Sequence, residues 1–324
     1  MNVSALQWFL TIGVTVAVLI VDVAVIGRRP HEPTFHECAG YLALYVALAL
    51  GFGVWVWINH GQQYGLEFFA GWLTEYSLSI DNLFIFLIIM ASFSVPREFQ
   101  QQALLIGIIL ALALRAAFIA VGAVAISSFS PIFYLFGAFL IYTAIKLALD
   151  TDHDDDTDNT VVRLARTYLP TTDRWVGMRL YLKENGTRLI TPMFLVVVAL
   201  GSTDLLFALD SIPAIYGLTE EPYLVFAANV FALMGLRQLY FLLGGLLKRL
   251  VYLSRGLAVI LAFIGVKLVL HALAENRLPF LNGGAHIPVP QIPTLASLAV
   301  IIGTLTVTTV ASLYRTRVVD RRQQ

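Results

Sequence analysis

The chain has 324 residues, of which 58% are hydrophobic and 13% are charged, and its formal net charge at pH 7 is zero. Soluble domains contain about 45–50% apolar and about 25% charged residues, so this composition excludes a soluble protein and predicts a polytopic membrane protein. A net charge of zero argues against nucleic acid as a partner. The single cysteine, Cys38, excludes an intrachain disulfide and a cluster of thiolate metal ligands.

The hydrophobic residues form runs that have roughly the 20 residues that a transmembrane helix needs. These runs lie near residues 8–26, 40–58, 66–92, 101–126, 131–149, 190–215, 223–247, 254–273 and 293–314. The first run lacks the basic start and the cleavage site of a signal peptide, so we expect it to be a retained span. We therefore predict an all-α polytopic membrane protein with about nine transmembrane helices, surrounded by membrane lipid.

Basic residues test this count, because cytoplasmic loops are enriched in Lys and Arg. With nine spans, the basic residues outside the spans fall in alternate loops and in the C-terminal tail, and only Arg277 lies on the opposite side. This bias predicts a cytoplasmic C-terminus and an external N-terminus. The expected location is a bacterial-type plasma (inner) membrane.

Four ionisable residues recur in the same order within the spans of two halves of the chain. The first set is Glu75, Asp81, Arg115 and Lys146, and the second is Asp204, Asp210, Arg237 and Lys267. The paired acids are 129 residues apart, the arginines 122 and the lysines 121. Each copy holds three spans, an odd number, so the two copies would have opposite orientations. Inverted repeats with a site at their interface are a common transporter plan.

This repeat defines the predicted organisation of the chain. Residues 1–65 would form two N-terminal helices, 66–149 the first three-helix repeat, 150–189 a cytoplasmic loop, 190–273 the second repeat, and 274–324 a C-terminal helix with a basic tail. The loop opens with an acidic stretch at 150–158. A solvated linker is the simpler interpretation of this stretch, and a weak cation-gathering patch at a cytoplasmic entrance is the alternative.

Charges inside a membrane must be paired or hydrated, because each costs roughly 2.5–3.5 kcal/mol at mid-membrane. The spans hold the eight repeated residues and Asp22. Nine unpaired charges would cost roughly 22–32 kcal/mol, more than a typical folding stability of about 5–15 kcal/mol. We expect the four bases to compensate part of the acidic charge and to change partners during transport: Arg115, Lys146, Arg237 and Lys267. Mutual pairing with no further role is the alternative.

Helix geometry limits how the two acids of one copy can act together. At about 100° per residue, Asp81 lies about 120° around the helix from Glu75, so a straight helix cannot direct both at one ion. Either the helix loosens, or each acid meets the other copy. In the second copy Pro213 leaves the Leu209 carbonyl without its helical partner, which would supply a further ligand. A simple kink at Pro213 is an equal alternative.

The candidate metal ligands of both copies are all oxygen atoms. They belong to Glu75, Asp81, Asn82, Asp204, Asp210 and Ser211. Oxygen-only sites suit Mg²⁺, Ca²⁺ or Mn²⁺, whereas zinc and copper favour imidazole or sulfur. The residues therefore predict a hard divalent cation, or protons, as the transported species, and no prosthetic cofactor.

Two segments that contain these acids, 75–84 and 203–214, resemble the signature segments of the TerC family of integral membrane proteins. Residues 236–241 resemble the segment that follows them, and the resemblance covers about 34–272. It implies a manganese exporter similar to the LysE transporter group, with the four acids handling the metal. The family often carries another acid three positions before Asp204, where this chain has Gly201.

Two other functional classes compete with an alternating-access exporter. The first is a non-transporting membrane factor that assists the insertion or folding of other membrane proteins. The second is an intramembrane enzyme, but the sequence has no HExxH motif, no Ser–Lys or Ser–His pair within a helical turn and no phosphate-binding glycine loop. We therefore expect no enzymatic activity. Counter-transport of protons and the oligomeric state stay open.

Overall fold

The structure is a computed structural model that describes residues 1, 3–28, 34–128, 131–149, 172, 175–176, 179–184, 187–243, 252–274 and 287–322. The acidic stretch at 150–158 lies outside the described residues. Asp22 and Asp81 lie on described helices, but their side chains are outside what the structure describes. The predictions for these residues therefore stay predictions.

Helices account for nearly all of the described chain. They are α1 Ala5–Arg28, α2 Phe35–His60, α3 Gln62–Ser92, α4 Arg97–Ser128, α5 Ile132–Leu149, α6 Pro192–Tyr216, α7 Pro222–Met234, α8 Leu236–Leu243, α9 Leu253–Ala274 and α10 Thr294–Arg322. Within the described residues, eight helical segments are long and apolar enough to cross a bilayer, and α1 contains a shorter apolar stretch, Ala5–Val18. The predicted all-α polytopic membrane fold is confirmed.

A small β-hairpin interrupts this helical pattern between α5 and α6. Strand β1, Tyr181–Glu184, pairs antiparallel with β2, Thr187–Ile190. The sequence analysis predicted only a loop here. Hydropathy gave no reason to expect strands, but the dipeptide Asn185-Gly186 between them is a strong signal for a two-residue hairpin connection.

The seventh predicted span is two helices rather than one. Helix α7 ends at Met234 and α8 begins at Leu236, with Gly235 between them. A Cβ atom on Gly235 would lie 3.1 Å from Leu42 Cδ1, so the break brings the backbone close to α2. By contrast α6 runs through Pro213 to Tyr216. Pro213 stands near the end of α6, where a lost backbone hydrogen bond disturbs few later turns.

The helices of the two predicted repeats pack in a reciprocal pattern. The first helix of one half contacts the second helix of the other, as α3 packs on α7 and α4 on α6. The third helices, α5 and α9, pack against each other. A two-fold relation between the halves would produce such pairs. The inverted repeat itself stays a prediction.

The helices α5 and α9 approach each other closely where they cross at two glycines. A Cβ on Gly137 would lie 2.9 Å from the carbonyl oxygen of Gly265, and a Cβ on Gly265 would lie 3.0 Å from the carbonyl oxygen of Gly137. A Cβ on Gly137 would also meet Val269, and a Cβ on Gly265 would meet Ile141. These two contacts are equivalent if positions 128 residues apart correspond, Gly137 with Gly265 and Ile141 with Val269. The two lysines are 121 residues apart. This crossing therefore does not relate Lys146 to Lys267.

Adding one methyl group at this crossing should destabilise the fold. We expect Gly265→Ala to lower the free energy of unfolding by about 1–3 kcal/mol, because the two backbones must separate. Gly303→Ala in α10 is the matched control, since its Cβ would meet nothing within 4 Å. Thermal unfolding in detergent, followed by tryptophan fluorescence, measures both. Equal melting temperatures for the two variants would contradict the close approach.

Candidate functional site

A fully buried arginine lies at the centre of the helix bundle. Arg115 projects from α4 with no exposed surface. Its Nε atom donates to Asp204 Oδ2 at 3.0 Å, and Nη2 donates to Asp204 Oδ1 at 2.9 Å. This two-pronged contact is the strongest geometry available to an arginine and a carboxylate. It joins α4 of the first half to α6 of the second.

The remaining terminal nitrogen of Arg115 contacts three further acceptors, which lie on α3, α6 and α7. Nη1 forms an ion pair with Glu75 Oε1 on α3, and it lies 3.2 Å from Ser211 Oγ on α6 and 3.0 Å from Asn229 Oδ1 on α7. We call these five residues the Arg115 cluster. Asp204 of the second predicted repeat thus contacts the first repeat directly, whereas Glu75 bonds Arg115 of its own repeat and meets the second repeat through the shared guanidinium.

Glu75 has one carboxylate oxygen in this cluster that could still accept a hydrogen bond or bind a cation. Its Oε1 atom accepts hydrogen bonds from Arg115 and from Ser79 Oγ, the latter at 3.2 Å. Its Oε2 atom is buried and has no hydrogen-bond partner. With both acids ionised, the two carboxylates and one guanidinium carry a formal charge of −1. A buried, unsatisfied carboxylate oxygen in a net negative site favours a cation or a proton.

Asn229 is the site residue that sequence reasoning missed. It is completely buried on α7, and its Nδ2 atom donates to the Val225 carbonyl at 3.0 Å, which directs Oδ1 at Arg115. An amide in the middle of the apolar run 223–247 was a usable signal, because a buried amide requires partners for both its ends. Asn229 carries no charge, so the cost of intramembrane charge does not single it out.

Asp210 lies apart from the Arg115 cluster. Its half-buried carboxylate accepts a hydrogen bond from Thr143 Oγ1 on α5 at 3.1 Å, and Lys146 acts on it electrostatically. Asn82 is buried on α3. Among the described residues, no three acidic, histidine or cysteine side chains gather closely enough to hold a metal ion. A single site with four carboxylates is therefore not assembled by the side chains that the structure describes, and the metal-ligand set stays a prediction.

The four predicted charge-compensating bases have different surroundings. Arg115 pairs with both Glu75 and Asp204, as described above. Lys146 is exposed on α5 and acts on Asp210, while Lys267 acts on Glu67, an acid outside the predicted set. Arg237 Nη2 donates to the side-chain oxygen of Gln238 at 2.8 Å when the Gln238 amide is oriented so that its nitrogen donates to the Met234 carbonyl. Sequence alone identified which bases are intramembrane, but not which acids they meet.

The position at which the family often carries an acid is closely packed here. Gly201 is buried on α6, and a Cβ atom there would lie 2.4 Å from Leu110 Cδ2 on α4. An acidic side chain would have to displace Leu110. The glycine therefore allows α4 and α6 to approach closely, one turn of α6 before Asp204.

Comparison with known proteins agrees with the site's setting in a membrane bundle. Residues 60–320 match the model of the integral membrane protein TerC family. The chain belongs to the TerC family. An uncharacterized membrane protein of Mycobacterium tuberculosis is 48% identical over 322 residues, covering 98% of this chain and 81% of the relative.

Two further relatives cover almost the same length. An uncharacterized membrane protein of Myxococcus xanthus is 39% identical, covering 96% of this chain and 92% of its own. The Escherichia coli K12 protein named "Putative membrane-bound redox modulator Alx" is 36% identical, covering 91% of each chain. No solved structure matches this TerC-family chain.

Removing the guanidinium should leave two buried carboxylates without their cation. We expect Arg115→Met to lower the free energy of unfolding by about 3–5 kcal/mol. Adding Glu75→Gln and Asp204→Asn to that variant should restore most of the loss, because the excess charge is gone. Arg97→Met, at an exposed position of α4, is the control with little effect. Chemical unfolding in detergent compares the four proteins, and wild-type stability of Arg115→Met would refute the pairing.

Proposed function

We propose that this TerC-family protein exports a divalent metal cation, Mn²⁺ foremost, across the inner membrane by alternating access. The observation that carries the proposal is the buried Arg115 cluster, which has one more acid than base and an unsatisfied carboxylate oxygen on Glu75. Its ligand atoms are oxygens, which suit Mn²⁺, Mg²⁺ or Ca²⁺ better than softer metals.

Charge accounting explains how the cluster would handle such an ion. With Arg115 between Glu75 and Asp204, the formal charge is −1. If a divalent cation binds the two carboxylates while the guanidinium stays on its neutral acceptors, the formal charge of the cluster becomes +1. Either state is far less costly than two bare carboxylates in a low-dielectric interior. Arg115 would therefore act as an internal substitute that holds the acids together between metal-binding events.

The neutral neighbours of Arg115 can keep the guanidinium hydrogen-bonded when a cation binds to the two acids. Asn229 Oδ1 and Ser211 Oγ already lie within hydrogen-bonding distance of Nη1. The guanidinium can keep these neutral acceptors while Glu75 and Asp204 turn towards the metal. Asp210, with Thr143 and Lys146 beside it, and Asp81 would serve as additional acids along the path.

The packing of the two halves supports alternating access. The cluster draws Glu75, Arg115 from one half and Asp204, Ser211 and Asn229 from the other, so any rocking of one half against the other changes its geometry. Transporters with inverted repeats place their sites at such an interface.

The name of the Escherichia coli relative suggests a redox role, and this chain offers little thiol chemistry for one. It has one cysteine, Cys38, which is buried on α2. One buried thiol cannot form an intrachain disulfide. An effect on cellular redox balance would then follow from metal export, because Mn²⁺ is itself a redox-active cation.

Transport by purified protein tests the proposal. In proteoliposomes loaded with a metal-quenched dye, wild-type protein should pass Mn²⁺, and Glu75→Gln and Asp204→Asn should each reduce the initial rate at least about tenfold. A charged hydrogen bond of about 1.5–3 kcal/mol corresponds to roughly that factor or more.

Glu98→Gln, an equivalent change at an exposed site on α4, should keep the wild-type rate. Wild-type flux in Glu75→Gln would exclude Glu75 from the path. No Mn²⁺ flux with the wild-type protein would instead favour a non-transporting membrane factor, which does not need these acids.

A further inference from the structure

A second polar site lies at the end of the bundle where α3 begins and α6 ends. It is a cavity of about 350 Å³ between the first turns of α3, the α6–α7 connection and the last turns of α9. We call it the Glu67 cavity. None of its described lining residues belongs to the predicted metal-ligand set.

Glu67 is an almost fully buried acid in the wall of this cavity. Its exposed fraction is 6%. Its Oε1 atom accepts from Gln63 Nε2 at 2.9 Å, and its Oε2 atom accepts from Thr219 Oγ1 at 2.7 Å. Both donors are neutral, so no described cation is bonded directly to this carboxylate.

Lys267 faces the same cavity from α9. It is half-buried, it forms no hydrogen bond or ion pair with the described residues, and Glu67 acts on it electrostatically. The cavity thus separates a buried carboxylate from an ammonium group that it attracts but does not touch. Such a pair keeps the site close to neutral while leaving the carboxylate free to exchange a proton with water in the cavity.

The other titratable groups of the cavity are engaged elsewhere. Besides Glu67 and Lys267, the titratable residues among the described lining are Tyr64, Tyr216, Glu220, Glu221 and His271. Glu220 pairs with His271 Nε2 at 2.8 Å, and this contact holds the pKa of the exposed Glu220 carboxyl below its usual range. Glu221 and Tyr64 are bonded to the amino group of Met1.

The Glu67 cavity is stacked on the Arg115 cluster along the same helices. Glu67 precedes Glu75 on α3 by eight residues, a rise of about 12 Å. Tyr216, which lines the cavity, follows Ser211 of the cluster by five residues on α6, and its hydroxyl donates to the Ile119 carbonyl at 2.7 Å. A movement of α3 or α6 would therefore change the geometry of both sites.

We propose that Glu67, with Lys267 opposite it, is a proton-binding site that carries the proton exchanged for the exported cation. The inference rests on the proposed transport function and adds the coupling ion and its residue. In this proposal Glu67 takes one proton from the cavity and becomes neutral. Thr219 accommodates either state, because its hydroxyl can donate to the carboxylate or accept from the carboxylic acid.

The test measures how much a pH gradient stimulates Mn²⁺ flux in proteoliposomes, expressed as the ratio of rates with and without the gradient. Wild-type protein should be stimulated, and Glu67→Gln should have a ratio near one. Glu67→Asp keeps the titratable group and should retain part of the stimulation, which separates proton binding from a folding defect. Glu220→Gln in the same cavity is the matched control and should keep the wild-type ratio.

Lys267→Gln gives an independent readout. Without the nearby positive charge the protonated form of Glu67 is favoured, so the midpoint of the pH dependence of flux should move to higher pH. Wild-type stimulation in Glu67→Gln would overturn the inference. So would wild-type flux that ignores the pH gradient, although the proposed function would then stand. Absence of any wild-type flux would contradict the proposed function, and the inference would fall with it.

Discussion

The structure depends on one guanidinium held between two acids that belong to opposite halves of the chain. Arg115 makes two parallel hydrogen bonds with Asp204 and an ion pair with Glu75, all without exposure to solvent. A buried carboxylate that loses its partner destabilises a protein by several kcal/mol. While both acids are ionised, the helices α3, α4, α6 and α7 can therefore share one interior only with a positive charge between these acids.

The two polar sites solve the problem of intramembrane charge differently. In the Arg115 cluster the opposite charges touch, and the protein supplies the hydrogen bonds that water would otherwise give. In the Glu67 cavity the carboxylate and the Lys267 ammonium stay apart, and neutral donors satisfy the acid. Direct contact fixes geometry, whereas separation leaves room for water. The first arrangement suits the selection of an ion, and the second suits rapid exchange of a proton.

The sequence was enough to predict the membrane class and the approximate positions of the long apolar helices, because hydropathy is a local property. Of the repeated charges, Glu75, Arg115, Asp204 and Arg237 are buried, whereas Lys146 is exposed. The sequence could not predict that Asp204 and Glu75 share Arg115, since that depends on how each helix is rotated in the bundle. The break at Gly235 was missed for a similar reason, because only the approach of Leu42 makes the glycine necessary. Asn229 was missed because the site was predicted from charged residues within the spans, and Asn229 is uncharged.

The glycine crossing of α5 and α9 sets how these two helices can move. Because the two backbones are in close contact at Gly137 and Gly265, α5 and α9 can change their crossing angle there but cannot move closer together. Thr143 lies six residues after Gly137, about 9 Å along α5. A change of about 10° in the crossing angle therefore displaces Thr143 by about 1.5 Å. That is enough to break its 3.1 Å hydrogen bond with Asp210. A small turn at an apolar crossing would thereby release an acid from its only described hydrogen-bond donor.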